Sequence, residues 1–418
     1  MLQFLKNRIQ DKLFRNTSWM LLSEATAKIS RLLTVVVMAA YLTPVQFGIA
    51  SLALVCHELM RIFSRAGAGA AVIQCEESDL KATAANASLL QWVMCITLVG
   101  LQFGAADFIA GYYQEPKMAP LLKIMAFTYL CYPLVAVKVF MVQRENRMRF
   151  FAFANTLNIS TDNLSTVVFL MLDFGIASVA YAKVITAFSW VLIFAFARVK
   201  SVRPGFDSSI FPKLTVMSLH IFGSESARVL RSQIDILIAA KLLSAEALGL
   251  YSFAKNAGVG LSQSIANAFF AGLYPYICEK IRLGFAEQAK RKALIYAGAI
   301  STIFVMQSLA APFYIQLLFD VRWESAGSIV AVLCFTGVSL IFVDTLGLVF
   351  RALKQTLSEL ALILYCVMTT TSALLFFQPE TTTELAWTTT LVSFTWLLPV
   401  ILQLRMKQHF VQQKVTAS

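Results

Sequence analysis

Four windows of this chain, residues 82–106, 293–319, 360–379 and 385–404, contain no Asp, Glu, Lys or Arg. Each is long enough to carry a helix across about 30 Å of hydrocarbon. The apolar runs are continuous and do not alternate with period two, so they predict helices and exclude the strands of a barrel. Composition points the same way: 58% of the residues are hydrophobic and 14% charged, with a mean hydropathy of +0.70. A soluble chain carries about 25% charged residues. The expected fold is therefore an all-α polytopic membrane protein with about twelve transmembrane helices. The spans are placed near 16–42, 45–64, 84–108, 119–142, 151–172, 174–197, 217–241, 246–277, 292–318, 325–350, 356–377 and 384–404.

The net charge of +12 admits a nucleic-acid partner by magnitude, but its placement argues against one. With the N-terminus inside, the cytoplasmic segments collect Lys6 to Arg15, then Arg61, Arg65 and Lys81, then Arg144, Arg147 and Arg149. Further on they collect Arg198 to Lys213, Lys280 to Lys292, Arg351, Lys354 and the basic residues after Arg405. The opposite loops clearly hold only Lys117 and Arg322. This is the positive-inside bias, with both termini cytoplasmic. The first span carries three charges and no small-residue cleavage site follows it, so it is read as retained. Leu2, Leu5, Ile9 and Leu13 could form a short interfacial helix; a juxtamembrane topology signal is the plainer reading. The seven Cys stand singly and read as small core hydrophobes. His57, His220 and His409 have no metal-ligand spacing. No GxxxxGKS/T loop and no glycine-rich dinucleotide loop is present, so neither an ATPase nor a cofactor is expected.

Against this background two stretches stand out. The first runs Ser23, Glu24, Lys28, Arg31 and ends in Leu42-Thr43-Pro44-Val45-Gln46-Phe47-Gly48; the second runs Ser224, Glu225, Arg228, Arg231 and ends in Leu243-Ser244-Ala245-Glu246-Ala247-Leu248-Gly249. A charge at bilayer depth costs roughly 2.5–3.5 kcal/mol on insertion scales, so cations placed there twice imply a use. A parallel repeat of six plus six spans follows, with an N-lobe at 1–200, a cytoplasmic linker at 201–216 and a C-lobe at 217–418. The framework repeats at an offset of 201 and the cations at 200, so a ring of positive charge is expected rather than a residue-for-residue copy. Glu24, Lys28 and Arg31 share about a 60° arc of one helix, and Arg228, Arg231 and Asp235 share another face with Glu225 at its edge. The plain alternative is local pairing, Glu24 with Lys28 and Glu225 with Arg228. It leaves Arg31 and Arg231 without evident local partners, which favours the lining of a water-filled cationic cavity. His57 and Glu58 lie mid-span as a candidate proton relay. Lys255 and Asn256 lie in an eighth span too polar to face lipid. Lys138, Asp162, Lys183 and Asp344 are scattered singly over the spans, each readable as a local pair or a polar anchor, and Lys123 reads as a snorkelling charge.

The Leu42 to Gly48 stretch, Ala66-Gly67-Ala68-Gly69-Ala70-Ala71-Val72-Ile73-Gln74, Arg231-Ser232-Gln233-Ile234-Asp235, Gly249-Leu250-Tyr251 and Leu273-Tyr274-Pro275 resemble the multidrug/oligosaccharidyl-lipid/polysaccharide exporter superfamily. Within it the chain looks like the polysaccharide-transport branch of Wzx-type flippases, except that the Arg usual before the Leu42 position is Tyr41. The resemblance implies a transporter, not an enzyme, that moves a polyprenyl-diphosphate-linked oligosaccharide across the bacterial cytoplasmic membrane, with other polysaccharide-assembly proteins as further partners. A diphosphate headgroup needs cations, bidentate from Arg and point-like from Lys. The expected headgroup residues are Lys28, Arg31, Arg228, Arg231, Lys255 and Asn256; the expected pairing or ion-coupling residues are Glu24, His57, Glu58, Glu225 and Asp235. The rival on the same fold is a cation-coupled drug exporter, for which the mid-span charge is too basic. The rival of another class is a membrane oligosaccharide polymerase or glycosyltransferase, for which the short loops leave little room.

Overall fold

In hydrocarbon a backbone N–H or C=O is satisfied only inside its own segment, so the apolar windows fold as helix. The structure, a computed structural model, describes residues 26–403 apart from 27–29, 32, 65–67, 146, 198, 200–201 and 354. Glu24 and Lys28, and the stretch from Leu2 to Leu13, lie outside the described residues.

A helical stretch reaching residue 41 leads into α1 (Pro44–Ser64), the short α2 (Ala68–Gln74), α3 (Leu80–Tyr112), α4 (Met118–Ala126), α5 (Thr128–Arg144), α6 (Met148–Met171) and α7 (Ala177–Ala195). The chain continues through α8 (Phe211–Leu242), α9 (Ala245–Ala257), α10 (Val259–Arg282), α11 (Ala286–Leu318), α12 (Ala326–Ala352), α13 (Thr356–Phe377) and α14 (Thr382–Thr395). Eight helices among the described residues are long and apolar enough to cross a membrane. They are α1, α3, α4 continued by α5, α7, α11, α12, α13, and α14 continued to Gln403. The difference from the twelve expected spans lies in α6 and α8, which polar side chains make less apolar, in α9–α10, which is polar and divided, and in the first span, most of which falls outside the described residues. The protein is all-α and polytopic.

Packing divides the chain into two compact units, Met1–Leu230 and Arg231–Ser418, with the division inside α8. The hub of the first is α5, packed against α1, α2, α3, α6 and α7. The hub of the second is α12, packed against α9, α10, α11, α13 and α14. The apolar windows of α3 and α11 are more exposed than that of α12: only 28% of each is buried, against 56%. Apolar side chains such as Phe313 and Leu317 therefore stand exposed, as lipid-facing side chains do.

The framework repeat has a local cause. Thr43 and Gln46 form a reciprocal capping box at the start of α1: the Thr43 N–H donates to Gln46 Oε1 at 3.0 Å, and the Gln46 N–H donates to Thr43 Oγ1 at 3.3 Å. At the start of α9 the Ser244 hydroxyl accepts from the Ala247 N–H at 3.3 Å. The apolar residues on either side of each cap, Leu42 with Phe47 and Leu243 with Leu248, are buried, as in a hydrophobic staple. The repeated words are thus helix starts.

Two breaks were not visible in the sequence. α2 is held by Arg144, whose guanidinium donates to the carbonyls of Val72, Ile73 and Cys75 at 2.7–3.2 Å, the orphan acceptors at that helix end. The expected eighth span divides at Gly258, whose φ of −92° and ψ of −95° leave the helical region. A side chain there would press on Ala254 O at 2.8 Å and Val330 Cγ1 at 3.0 Å. The segment before α8 rests on the start of α3, with the Gly205 N–H on Ala85 O at 3.2 Å and the Asp207 N–H on Asn86 Oδ1 at 3.0 Å. The Asp207 carboxylate accepts from the Ser209 hydroxyl at 2.6 Å and its N–H at 2.9 Å, which holds its pKa below the ordinary carboxylate range.

Candidate functional site

The densest charged cluster lies in the second unit, where four-residue spacing puts Arg231 and Asp235 on one face of α8. Capped at Ser244, α9 presents Tyr251 and Lys255 with the same spacing. Lys255 Nζ donates to the Ser232 carbonyl at 2.6 Å and to Asp235 Oδ1 and Oδ2 at 2.7 and 2.8 Å. The Tyr251 hydroxyl donates to Asp235 Oδ2 at 2.7 Å. Arg231, one turn away, pairs with Asp344 of the hub helix α12 at 2.7 Å and reaches the Cys366 thiol of α13. Its side chain is only 10% exposed, and its Nε has no hydrogen-bond partner among the described residues. Asn256 is exposed and turns its amide to the Ser252 carbonyl at 2.9 Å.

Arg231, whose spacing offers no local partner, has a distant one in Asp344 of α12, so Asp344 is one half of a pair. Periodicity reports neighbours three and four residues away on one helix, whereas this pair joins α8 to α12. The same reason explains Asp162 and Lys183, which meet across α6 and α7 at 2.6 Å with the Thr186 hydroxyl donating to Asp162 at 3.1 Å. Lys123 likewise pairs with Asp107 of α3 at 2.7 Å. Charge counting offered part of the missing signal: Asp162 and Lys183 were a lone acid and a lone base of opposite charge.

In the first unit the expected residues are dispersed. Arg31 is helical and exposed, next to Ser30, whose hydroxyl accepts from Asn163 of α6 at 2.6 Å. Glu225 and Arg228 pair along α8 at 3.1 Å, the local arrangement anticipated from their spacing. His57 is 2% exposed; its Nδ1 lies 3.1 Å from Gln102 Oε1 and 3.2 Å from the Tyr129 hydroxyl. Tyr129 donates to the same Gln102 oxygen at 2.7 Å, and the Gln102 amide donates to the Leu122 carbonyl at 2.7 Å. This network ties α1, α3, α4 and α5 together. Glu58, next in sequence, pairs with Arg61, which also reaches Tyr132. Neighbouring helical residues point to different sides, and in these contacts His57 and Glu58 take different partners. Tyr129 and Gln102 are the members that sequence reasoning missed; a buried Gln inside an otherwise charge-free span was the available sign.

A solved structure titled as an inward-facing multidrug resistance MATE family transporter of the MOP superfamily matches with a TM-score of 0.70 at 15% identity, covering 92% of this chain and 96% of that one. The lipid II flippase MurJ, inward closed, matches with a TM-score of 0.73 at 15% identity, covering 92% and 87%. The fold class is therefore that of the MATE and MurJ transporters. Residues 37–328, well over half of the chain, match the family described as polysaccharide biosynthesis protein, and the chain belongs to that family. Teichuronic acid biosynthesis protein TuaB of Bacillus subtilis is 25% identical over 373 residues, 82% of this chain and 73% of that protein. Succinoglycan biosynthesis transport protein ExoT of Rhizobium meliloti is 24% identical over 335 residues, 77% and 65%. Lipopolysaccharide biosynthesis protein WzxC of Escherichia coli is 21% identical over 346 residues, 79% and 68%.

Proposed function

We propose that the protein is a flippase that carries a polyprenyl-diphosphate-linked oligosaccharide, a repeat unit of a surface polysaccharide, across the bacterial cytoplasmic membrane by alternating access. The observation that carries the reading is the combination of membership in a polysaccharide biosynthesis family with Arg231 and Lys255 held between the helices of the second unit. Cations held there, at the stated cost, suit a substrate whose constant part is a diphosphate and whose sugar varies. Lys28, Arg31, Arg228, Arg231, Lys255 and Asn256 are the headgroup candidates on this reading, with Glu24, His57, Glu58, Glu225 and Asp235 pairing with them or coupling an ion. The basic loops support an orientation with both termini in the cytoplasm. Other polysaccharide-assembly proteins are the natural partners.

Fold likeness alone favours a drug exporter equally, because multidrug transporters share the architecture. The family match and the basic character of the charged spans decide between the two. Reconstituted protein with a fluorescent polyprenyl-diphosphate sugar in one leaflet tests the reading. Transfer to the other leaflet is expected for the wild type, with loss of about 10-fold or more in Arg231→Ala, on the scale of one charge-assisted phosphate contact. Full activity of both Arg31→Ala and Arg231→Ala at normal expression, or drug tolerance without any effect on surface glycan, would overturn it.

A further inference from the structure

Lys255 and Arg231, the two cations of this cluster, are already occupied. An ammonium has three donors, and Lys255 spends its own on Ser232 O and on the two oxygens of Asp235. Arg231 is engaged by Asp344 and Cys366. A phosphate oxygen can bind either cation only by taking the place of a carboxylate. We propose that Asp235 and Asp344 are internal stand-ins for the headgroup phosphates, so that the ligand binds by exchanging phosphate for carboxylate at Lys255 and Arg231. The proposal rests on the reading of these cations as headgroup-binding and concerns how that site is regulated.

Three observations support exchange over a fixed pair of structural pins. First, an unpaired buried cation is strongly destabilising, so an empty site needs a resident anion between transport events. Here each cation has one of its own, from the same unit. Second, the resident anions are imperfect. Asp344 leaves Arg231 Nε without an acceptor although the side chain is nine-tenths buried, and a tetrahedral phosphate offers more oxygens than a carboxylate. Third, Asp235 does not lose every contact when Lys255 leaves. Tyr251 still donates to its Oδ2, and the groups facing this position are Tyr251 and Lys255 from α9, Ser232 and Arg231 from α8 itself, and Thr389 of α14, which bonds Tyr251. A headgroup with two phosphates displaces both carboxylates, one from each cation, and their return expels it. Selection follows as well, since a ligand without a phosphate has nothing to exchange.

The test measures binding of farnesyl diphosphate, a short polyprenyl diphosphate, to the full-length protein in nanodiscs of phosphatidylethanolamine and phosphatidylglycerol. Farnesyl monophosphate and farnesol serve as controls, and thermal midpoints are recorded for every variant. Asp235→Asn and Asp344→Asn, which remove the competing charge while keeping shape, are expected to bind the diphosphate about 10-fold more tightly than the wild type. Lys255→Gln is expected to bind about 10-fold more weakly, and Asp235→Asn added to Lys255→Gln to restore nothing. Lower midpoints in the Asn variants are expected on either reading, because each leaves a cation unpaired, but structural pins predict unchanged or weaker binding. If the wild type binds and a stably folded Asn variant binds no tighter, exchange is overturned while the headgroup reading stands. Should one Asn variant fail to fold, the other decides the same question. If the wild type and both Asn variants all fail to bind, the headgroup reading falls and exchange falls with it.

Discussion

Arg231 shows how much rides on one residue in this setting. Its guanidinium is nine-tenths buried and matched by a carboxylate from the hub helix of its unit. Removing one member of a buried pair leaves the other charged and alone, at a cost of about 3–5 kcal/mol, whereas replacing both with apolar groups is often neutral. Arg231→Met is therefore expected to lower the thermal midpoint in detergent sharply, and Arg231→Met combined with Asp344→Leu to recover most of it. The double variant should still fail to transport, which separates the stabilising role of the pair from its role toward substrate. Recovery of both stability and transport would show Arg231 to be dispensable for the headgroup. At this scale the sequence was half legible. That Arg231 and Asp235 share a helix face can be read from their spacing, as can the pairing of Glu225 with Arg228. That Asp344 answers Arg231 cannot, because the two are joined only when α8 packs on α12.

Individual elements follow from capping and from backbone satisfaction more than from apolarity. The words shared by the two stretches were legible as a repeat, and their meaning emerged only with the hydrogen bonds: both start helices, α1 through Thr43 and Gln46, α9 through Ser244. Ser244→Ala is expected to cost about 1 kcal/mol, a typical N-cap loss, read as a modest fall in thermal midpoint. The break at Gly258 was invisible, since glycine also occurs in unbroken membrane helices. Breaking a helix within hydrocarbon exposes carbonyls that must find other donors. Here Gln307 of α11 supplies them, its amide donating to Gly258 O at 2.8 Å and Ala257 O at 3.4 Å, while the Tyr314 hydroxyl donates to Ala257 O at 3.1 Å. Ser262 of α10 completes the arrangement by donating to the Gln307 carbonyl oxygen. Gln307→Leu keeps the bulk and removes the donor, so it should destabilise by about 1–3 kcal/mol, the penalty for buried unpaired acceptors. Gln307→Glu, which keeps an acceptor for Ser262 but offers the carbonyls no amide donor, should not rescue it. A thermal midpoint equal to the wild type in Gln307→Leu would mean that water reaches the break.

Orientation in the membrane belongs to the molecule as a whole, and here the charge distribution makes the strongest demand. Lys81 and Lys292 stand exposed next to helix ends assigned to the cytoplasm, and Lys117 and Arg322 stand exposed in loops assigned to the other side. The excess of basic loops on one face reflects the difficulty of moving Lys and Arg across the bilayer during insertion, not a ligand. Single cysteines introduced at these four positions, in a background whose seven native Cys are replaced, convert the assignment into a measurement. In intact cells a membrane-impermeant maleimide should label Lys117→Cys and Arg322→Cys, and should label Lys81→Cys and Lys292→Cys only after the membrane is opened. The two pairs test different things. Lys81 and Lys117 flank α3, whose single crossing must separate them, so opposite labelling there confirms that α3 spans. Lys292 and Arg322 lie toward opposite ends of α11 and ask the same of the second unit. If both pairs obey, α3 and α11, the third and ninth expected spans, cross in the same direction, as a parallel repeat with six crossings between them requires. If the second pair labels in reverse, the units are inverted with respect to each other, and the assignment of basic loops to the cytoplasm fails for residues 280–292 even though it holds for residues 61–81.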